Sequence, residues 1–83
     1  MTLDVLYFAW LRERVGLPSE SVETEAATVA ELVDELRLRE PRYAAAFADM
    51  AAVRVAVDQE LRDLGAPLAG AREVAFFPPM TGG

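Results

Sequence analysis

The chain is short and acidic, and it lacks two residue types that many functional sites require. It has 83 residues, of which 53% are hydrophobic and 27% are charged, and its formal net charge is −6. This composition is typical of one small globular domain, and the negative charge argues against binding to nucleic acid. The absence of cysteine and histidine excludes a disulfide framework, a zinc knuckle, a thiolate nucleophile and the usual general base.

Lysine is also missing, since all eight cationic side chains are arginines. The chain therefore offers no lysine for a Schiff base and none that accepts an isopeptide bond. The N-terminus, MTLDVLYFAWLRER, carries an acid at Asp4 and no basic region ahead of its short apolar run. We therefore expect neither a signal peptide nor contact with a membrane, and we predict a cytoplasmic protein.

Two strands are predicted in the first third of the chain. Residues 3–10 alternate between two faces and are apolar on much of both, which indicates a central strand. The stretch RERVGLPSE predicts a turn through Gly16 and Pro18. A weaker strand follows in SVETE, where only Val22 is clearly apolar, so we place this strand at an edge of the sheet.

The clearest helix is predicted in TVAELVDELRLREP. Thr28 and Glu31 match a capping box, which satisfies two amides at the start of a helix. Apolar residues recur at helical spacing and form one stripe for the core: Val29, Leu32, Val33 and Leu36. Pro41 is expected to end the helix. A second, short helical turn is predicted in RYAAAFADM, with its large side chains buried: Tyr43, Phe47 and Met50.

The second half of the chain returns to strand patterns. AVRVAVDQEL predicts a strand with Val53, Val55 and Val57 inward and with Arg54 and Ala56 outward. A turn at Asp58-Gln59 and a brief strand at 60–62 are predicted to follow. A loop anchored by Leu68 then leads to a last strand, Glu73–Phe77. One helix packed on a small sheet predicts an α+β fold of the β-grasp (ubiquitin-like) type, a mixed sheet of four to five strands on one main helix. We assign residues 1–77 to this domain and residues 78–83 to an extended C-terminal tail.

Three groups of side chains each admit two interpretations. Glu20, Glu23 and Glu25 either hold a metal ion or guard a solvated sheet edge, and the second is favoured. The arginines after the predicted helix either bind an anion or complement the helix dipole, and again the second is favoured: Arg37, Arg39 and Arg42. Trp10, next to Arg12, is either a partner contact or the rim of the core. No glycine-rich phosphate loop is present, and independent catalysis has no visible apparatus.

The last strand leads directly into the stretch EVAFFPPMTGG. By strand parity, Val74 and Phe76 face the helix while Ala75 and Phe77 face outward. The first and last strands of a β-grasp are adjacent, so Phe8 and Phe77 are predicted to form one exposed apolar patch. Such patches mark protein interfaces. The alternative is that a loop or short helix covers the patch.

The tail has the properties of a carrier arm. Pro78 and Pro79 favour an extended path away from the domain, and Gly82 and Gly83 have no side chains to obstruct a narrow channel. A terminal carboxylate is inert towards nucleophiles until it is activated. If an ATP-using partner adenylated Gly83, the mixed anhydride would accept sulfur or an amine. A terminal TGG alone is unspecific, but the two prolines before it make the pattern more specific.

FFPPMTGG, preceded by GAREVA, resembles the C-terminus of the small subunit of molybdopterin synthase, the MoaD family. LYFAWLRERVG, TVAELVDEL and VAVDQEL resemble the first strand with its turn, the start of the helix and the third-strand hairpin of that family. The resemblance covers essentially the whole chain, and the tail is its most specific part. The chain departs from the commonest pattern at Asp58, at Met80 and in GAREV, where Ala71 and Arg72 are unusual.

The resemblance implies a sulfur carrier with a β-grasp fold. In that family an E1-like adenylating enzyme (MoeB type) uses ATP to adenylate the terminal glycine, and a sulfur donor protein converts it to a thiocarboxylate. The tail then enters the large subunit (MoaE type) of a heterotetrameric synthase, which supplies the catalytic residues. Sulfur passes to cyclic pyranopterin monophosphate and builds the dithiolene of molybdopterin. The small subunit itself binds no cofactor and no metal.

Matching positions carry the family's roles to this chain. Gly83 is the implied site of adenylation and of the thiocarboxylate. The rest of the tail is implied to bind partners, with its last residues inside the partner's channel: Pro78, Pro79, Met80, Thr81 and Gly82. Phe8 and Phe77 are implied to make apolar contacts with both partners, and Arg12 a polar one.

Three other functions fit part of the pattern. A sulfur carrier for thiamine, cysteine or tRNA thiolation shares the chemistry, and the FFPP stretch is what favours molybdopterin. A ubiquitin-like protein modifier would join Gly83 to lysines of target proteins. The third is a plain interaction module with an incidental tail.

Overall fold

The computed structural model describes residues 1–79, which form five strands and three α-helices. The elements are β1 (Thr2–Tyr7), α1 (Ala9–Val15), β2 (Ser19–Glu23), α2 (Val29–Arg39), α3 (Pro41–Ala46), a 3-10 turn (Met50–Ala52), β3 (Arg54–Val57), β4 (Glu60–Arg62) and β5 (Glu73–Phe77). The strands form one mixed sheet in the order β2-β1-β5-β3-β4. The predicted β-grasp is therefore confirmed, as is the adjacency of the first and last strands.

The sheet is built around the parallel pair of β1 and β5, which have antiparallel neighbours on either side. One face of these strands is buried against the helices. Its aromatic centre is formed by Tyr7, Phe47 and Phe76, with Phe47 and Phe76 packed edge to face at 4.9 Å between ring centroids. Aromatic pairs in this geometry stabilise a core beyond the area that they bury.

The prediction of a strand over 3–10 was wrong at its end, because β1 stops at Tyr7 and a helix, α1, follows at once. Ala9 has a φ of 54°, which turns the chain out of the sheet. Leu11 and Val15, four residues apart, are fully buried on the inner side of α1. Gly16 ends the helix with a left-handed φ of 88°. The i, i+4 spacing and the glycine were the signals for this helix.

The predicted edge strand exists but begins earlier, at Ser19 instead of Ser21, and pairs only with β1. Val22 is its buried residue, as predicted.

Helix α2 has the predicted start and the predicted apolar stripe. The Thr28 hydroxyl accepts a hydrogen bond from the Glu31 amide at 3.3 Å. Only this half of the predicted capping box forms, because the Glu31 carboxylate accepts from the Thr28 hydroxyl instead of its backbone amide. All four residues of the stripe are buried: Val29, Leu32, Val33 and Leu36.

Pro41 lies at the first turn of α3, where its missing amide costs no hydrogen bond. The α2 helix ends before it, since Glu40 is extended. Tyr43 and Phe47 are buried as predicted, whereas Met50 packs against the core only partly.

The hairpin between β3 and β4 turns at the predicted residues. Asp58 and Gln59 have φ values of 49° and 70°, so both are left-handed, as in the tight hairpin turns that follow the twist of the sheet. The Asp58 carboxylate accepts hydrogen bonds from the amides of Arg72 and Glu73 at 2.9 and 3.0 Å. These two bonds fasten the turn to the start of β5 and lower the pKa of Asp58.

Glu20 joins four elements through its carboxylate. It accepts hydrogen bonds from the hydroxyls of Tyr7 at 2.8 Å and Tyr43 at 2.7 Å, and it pairs with Arg39 at 3.3 Å. Burial, with the hydrogen bond to Glu20 next in importance, raises the pKa of both tyrosines. Both phenols therefore stay protonated and keep donating, which ties β2 to β1, α2 and α3.

None of the helices in the described part of the chain is long and apolar enough to cross a membrane.

We predict that Glu20→Ala lowers the free energy of unfolding by about 2 kcal/mol, because two buried phenols lose a charged acceptor. Glu23→Ala is the matched control on the same strand, since Glu23 is exposed, and it is expected to change stability by no more than about 0.5 kcal/mol. Urea unfolding followed by circular dichroism measures both. Equal effects of the two substitutions would contradict the role given to Glu20.

We predict that Asp58→Asn makes folding less sensitive to acid. The pKa of Asp58 is lowered in the folded state, so its contribution to stability is present above the unfolded pKa of about 3.9 and is lost as pH falls below it. The asparagine oxygen still accepts both amides but does not titrate. The stability advantage of the unaltered chain over the variant should shrink between about pH 5 and pH 3. Thermal melts at each pH measure it, and parallel curves would refute the prediction.

Candidate functional site

The outer face of the sheet, opposite the helices, carries a continuous apolar row. The strand register places Leu6 beside Ala75, Ala75 beside Ala56, and Ala56 beside Leu61. Cross-strand neighbours on one face have side chains in contact. The row thus crosses four strands, and Leu61 at its end is 71% exposed.

Phe8 extends this apolar surface beyond the end of β1. Its backbone is still extended, and its amide donates to the Phe76 carbonyl at 3.1 Å, which holds it beside β5. Its side chain is 46% exposed. The left-handed Ala9 then redirects the chain, and α1 buries Leu11 in the core on the other face. The short helix after β1 therefore does not cover the patch.

Phe8 and Phe77 line one hollow on this face, which we call the outer hollow. Its volume is about 620 Å³. Its lining is Leu6, Phe8, Ala56, Gln59, Glu73, Ala75, Phe77, Pro78 and Pro79. The predicted patch of Phe8 and Phe77 is confirmed as a feature of the structure. Its apolar lining suits the side chains of another protein better than a charged ligand.

The prediction that Ala75 faces outward with Phe77 is confirmed by the same lining, although Ala75 is only 7% exposed because its larger neighbours shade it. Val74 and Phe76 are fully buried on the helix side.

Arg12 lies outside the outer hollow but close to it. It lines a neighbouring, more polar hollow of about 470 Å³, to which Leu6, Phe8, Ser19 and Ser21 also contribute. Phe8 and Leu6 line both hollows, so Arg12 is at the polar border of the apolar surface.

Trp10 is not part of this surface. It packs partly against the core, and the guanidinium of Arg14 lies 4.7 Å from the centre of its ring. Of the two interpretations of Trp10, the structure supports the rim of the core.

The acidic residues on and just after β2 do not gather into a metal site in the described part of the chain. Glu20 turns inward to the two tyrosines, Glu23 accepts a hydrogen bond from Thr2, and Glu25 pairs with the N-terminal amine. Within residues 1–79, no three acidic side chains come together to hold a metal ion.

The arginines after α2 are engaged with the fold. Arg37 donates to the Phe47 carbonyl, Arg39 pairs with Glu20, and Arg42 donates to the Val15 carbonyl at 2.8 Å. These contacts favour a structural role over the anion site.

Of the predicted tail residues, Pro78 and Pro79 are described, and both are half-buried at the rim of the outer hollow. Met80, Thr81, Gly82 and Gly83, which carry the predicted channel contacts and the reactive carboxylate, lie outside the described residues. The chain therefore leaves its domain from the edge of the apolar surface.

Sequence reasoning did not find Ala56, Gln59 and Leu61 as part of this surface. Parity within β3 placed Ala56 outward, but only the register between strands aligns it with Ala75 and Leu61. Pairing register is a long-range property that one strand's pattern does not reveal.

Comparisons with known proteins agree with the fold. Residues 5–83 match the ThiS family. The chain is 40% identical to the molybdopterin synthase sulfur carrier subunit of Escherichia coli, over 98% of this chain and 99% of that protein. Among solved structures, it is similar to SAMP1 from Haloferax volcanii (TM-score 0.79, 27% identity, all of both chains). It is also similar to a putative molybdopterin converting factor subunit 1 from Pyrococcus furiosus (TM-score 0.73, 25% identity, 96% of this chain and 99% of that one).

We predict that Phe76→Ala and Phe77→Ala, adjacent in sequence, have very different effects on folding. Phe76 is fully buried, so its truncation should cost about 3–5 kcal/mol. Phe77 lines an open hollow, so its truncation should cost about 1 kcal/mol or less. Chemical unfolding measures both values. A loss at Phe77 as large as that at Phe76 would mean that the outer face belongs to the core.

Proposed function

The chain belongs to the ThiS family, and we propose that it is the sulfur carrier subunit of a molybdopterin synthase. The observation that carries the proposal is the 40% identity to the Escherichia coli carrier subunit, which covers 98% of this chain. The outer hollow supports it physically, because a carrier has to be recognised by other proteins and this apolar face adjoins the start of the tail.

The proposed chemistry takes place at Gly83. The terminal carboxylate attacks the α-phosphorus of ATP on an activating enzyme of the MoeB type, and pyrophosphate leaves. A donor protein that supplies sulfur at the oxidation level of sulfide then attacks the acyl adenylate, and AMP leaves. The resulting thiocarboxylate is a better nucleophile than the carboxylate. Its sulfur attacks a carbon of cyclic pyranopterin monophosphate, the C–O bond at that carbon breaks with oxygen as the leaving group, and a thioester joins the tail to the precursor. Water then releases the tail as a carboxylate again.

We assign the catalytic residues to the large subunit, of the MoaE type. Support comes from the composition of this sequence, which has no cysteine, histidine or lysine to act as nucleophile or as a base near neutral pH. The carrier contributes binding energy and a positioned terminal group. Delivery of the thiocarboxylate into the partner's site makes sulfur transfer effectively intramolecular.

The partner-binding roles follow the outer face. Phe8 and Phe77 offer apolar contact area, and Arg12 offers a charged contact at its polar border. Pro78 and Pro79 restrict the chain where it leaves the domain, which lowers the entropy lost when the tail is bound. We therefore divide the chain functionally into a docking domain, residues 1–77, and a delivery tail, residues 78–83.

The principal alternative is a protein modifier, because the Haloferax volcanii neighbour is a small archaeal modifier protein. The relative at 40% identity favours the sulfur carrier over this function. The two functions share an activated terminal glycine and differ in the acceptor, which is sulfur in one case and a lysine amine in the other.

We predict that protein purified from its own cells contains a fraction heavier by the difference between one sulfur and one oxygen. Tandem mass spectrometry should place this difference at Gly83. When that fraction is mixed with the large subunit and cyclic pyranopterin monophosphate, molybdopterin should form, as detected by fluorescence of its oxidised derivative. Absence of product from verified thiocarboxylate would refute the pathway.

Two variants of the chain serve as controls for this experiment. Deletion of Gly82 and Gly83 should abolish both the mass difference and the product while leaving the thermal melt unchanged. Phe77→Ala should weaken binding to the large subunit while its tail remains chemically intact. If the deletion variant still supported synthesis, the terminal glycine would not carry the sulfur. High-mass conjugates in cells, with no thiocarboxylate, would support the modifier instead.

A further inference from the structure

A third hollow lies at the β3–β4 edge of the sheet, and two arginines line it. We call it the edge hollow; its volume is about 310 Å³. Its apolar lining includes Met50, Val53 and Leu64, and its charged lining includes Arg54 and Arg62. Both arginines are exposed. The edge hollow is thus lined by apolar side chains together with two arginines and one acid, Asp63, at a sheet edge.

Arg54 connects the edge hollow to the outer hollow. In the strand register it is the direct neighbour of Phe77, the last residue of β5. Its guanidinium folds back and donates to the carbonyls of Ala51 at 3.1 Å and Val53 at 3.2 Å. Because Phe77 lines the outer hollow, Arg54 lies next to that hollow in the sheet.

Neither arginine is neutralised by the part of the chain that the structure describes. The ion pairs found there involve the N-terminal amine, Arg37, Arg39 and Arg42. Asp63 lines the same hollow, but its carboxylate accepts the Gly65 amide at 2.9 Å and forms no ion pair with Arg62. By strand register Arg54 belongs to the outer face and Arg62 to the opposite face, so the two arginines flank the edge hollow from both sides of the sheet. With Asp63 counted, the lining of the edge hollow still carries a net positive charge, in a chain with fourteen acids and eight arginines.

We propose that the edge hollow binds an acidic side chain of the large subunit, one that is flanked by an apolar side chain. The inference rests on the proposed function and names a second contact of the same interface. A guanidinium donates two parallel hydrogen bonds to a carboxylate. It is also weakly hydrated, so its transfer from water into an interface costs little hydration free energy. The apolar lining suits the neighbouring aliphatic or aromatic side chain.

This contact would orient the carrier. The outer hollow is apolar and by itself sets no strict rotational position for a partner. A charge pair at one corner, beside the point where β5 ends, fixes the register of the two proteins and speeds their encounter. The tail would then leave in the direction of the partner's channel.

The test measures the affinity of Arg54→Glu and Arg62→Glu for the large subunit of the same organism by isothermal titration calorimetry. Each reversal sets a like charge against the partner's acid and should weaken binding at least about tenfold. The matched control is Arg14→Glu, which makes the same charge change on α1 and should alter affinity by no more than about twofold. Circular dichroism melts confirm that all three variants are folded.

Salt supplies a second measurement. Between about 0.01 M and 1 M sodium chloride the screening length shortens from about 30 Å to 3 Å. The affinity of the unaltered chain should fall over this range, and that of the Arg54→Glu variant should rise or stay level, since screening relieves its repulsion.

The outcomes separate the two proposals. Suppose that the unaltered chain binds the large subunit, that Phe77→Ala weakens this binding, and that Arg54→Glu and Arg62→Glu have the same affinity as Arg14→Glu. This inference then fails and the proposed function stands. If the unaltered chain does not bind the large subunit at all, both fail. If the reversals leave that binding intact and slow only ATP-dependent adenylation by the activating enzyme, the acidic partner is that enzyme and the assignment made here is overturned.

Discussion

The parallel pairing of β1 with β5 is the constraint on which the rest of the molecule depends. It brings the first and last strands of the described chain together inside one sheet, with Val5 beside Val74 and Tyr7 beside Phe76. Because both strands run in the same direction, their carboxyl ends lie at the same end of the sheet. Phe8 and Phe77 therefore meet there, although sixty-nine positions separate them in the sequence. The apolar surface and the start of the tail are consequences of this one pairing.

One face of the central strands forms the core, and the other face remains exposed. On the inner face, Tyr7 and Phe76 pack with Phe47, and Glu20 fixes the Tyr7 hydroxyl from the neighbouring strand. This rigid side allows the outer face to stay open, because the fold does not need Phe8 or Phe77 for its core. A carrier of this kind has to present apolar area to other proteins without unfolding, and placing the two functions on opposite faces of one sheet meets that requirement.

Much of this could be predicted from the sequence because the signals are local. Strand parity placed Phe76 inward and Phe77 outward. Aspartate tolerates a left-handed backbone conformation, and Asp58 therefore predicted the hairpin turn. The helix α1 was missed because Trp10 and Leu11 continue the apolar run of β1. The change of direction between β1 and α1 depends on a positive φ at Ala9, and an alanine in the sequence does not predict that conformation. The contribution of Ala56 and Leu61 to the outer face was missed for a different reason: it depends on the register of separate strands.

The two ends of the sheet carry charges of opposite sign on the outer face. At the amino end of β5, Asp4 and Glu73 are register partners, and the amides of Arg72 and Glu73 bind the Asp58 carboxylate. At the carboxyl end, Arg54 borders Phe77 and Arg12 lines the hollow beside Phe8. The outer face is thus negative where β5 begins and positive where the tail starts. A partner with the opposite polarity can dock in one orientation only, since the reversed orientation sets like charges against each other. For a protein whose task is to aim its last residues, such polarity is as necessary as affinity.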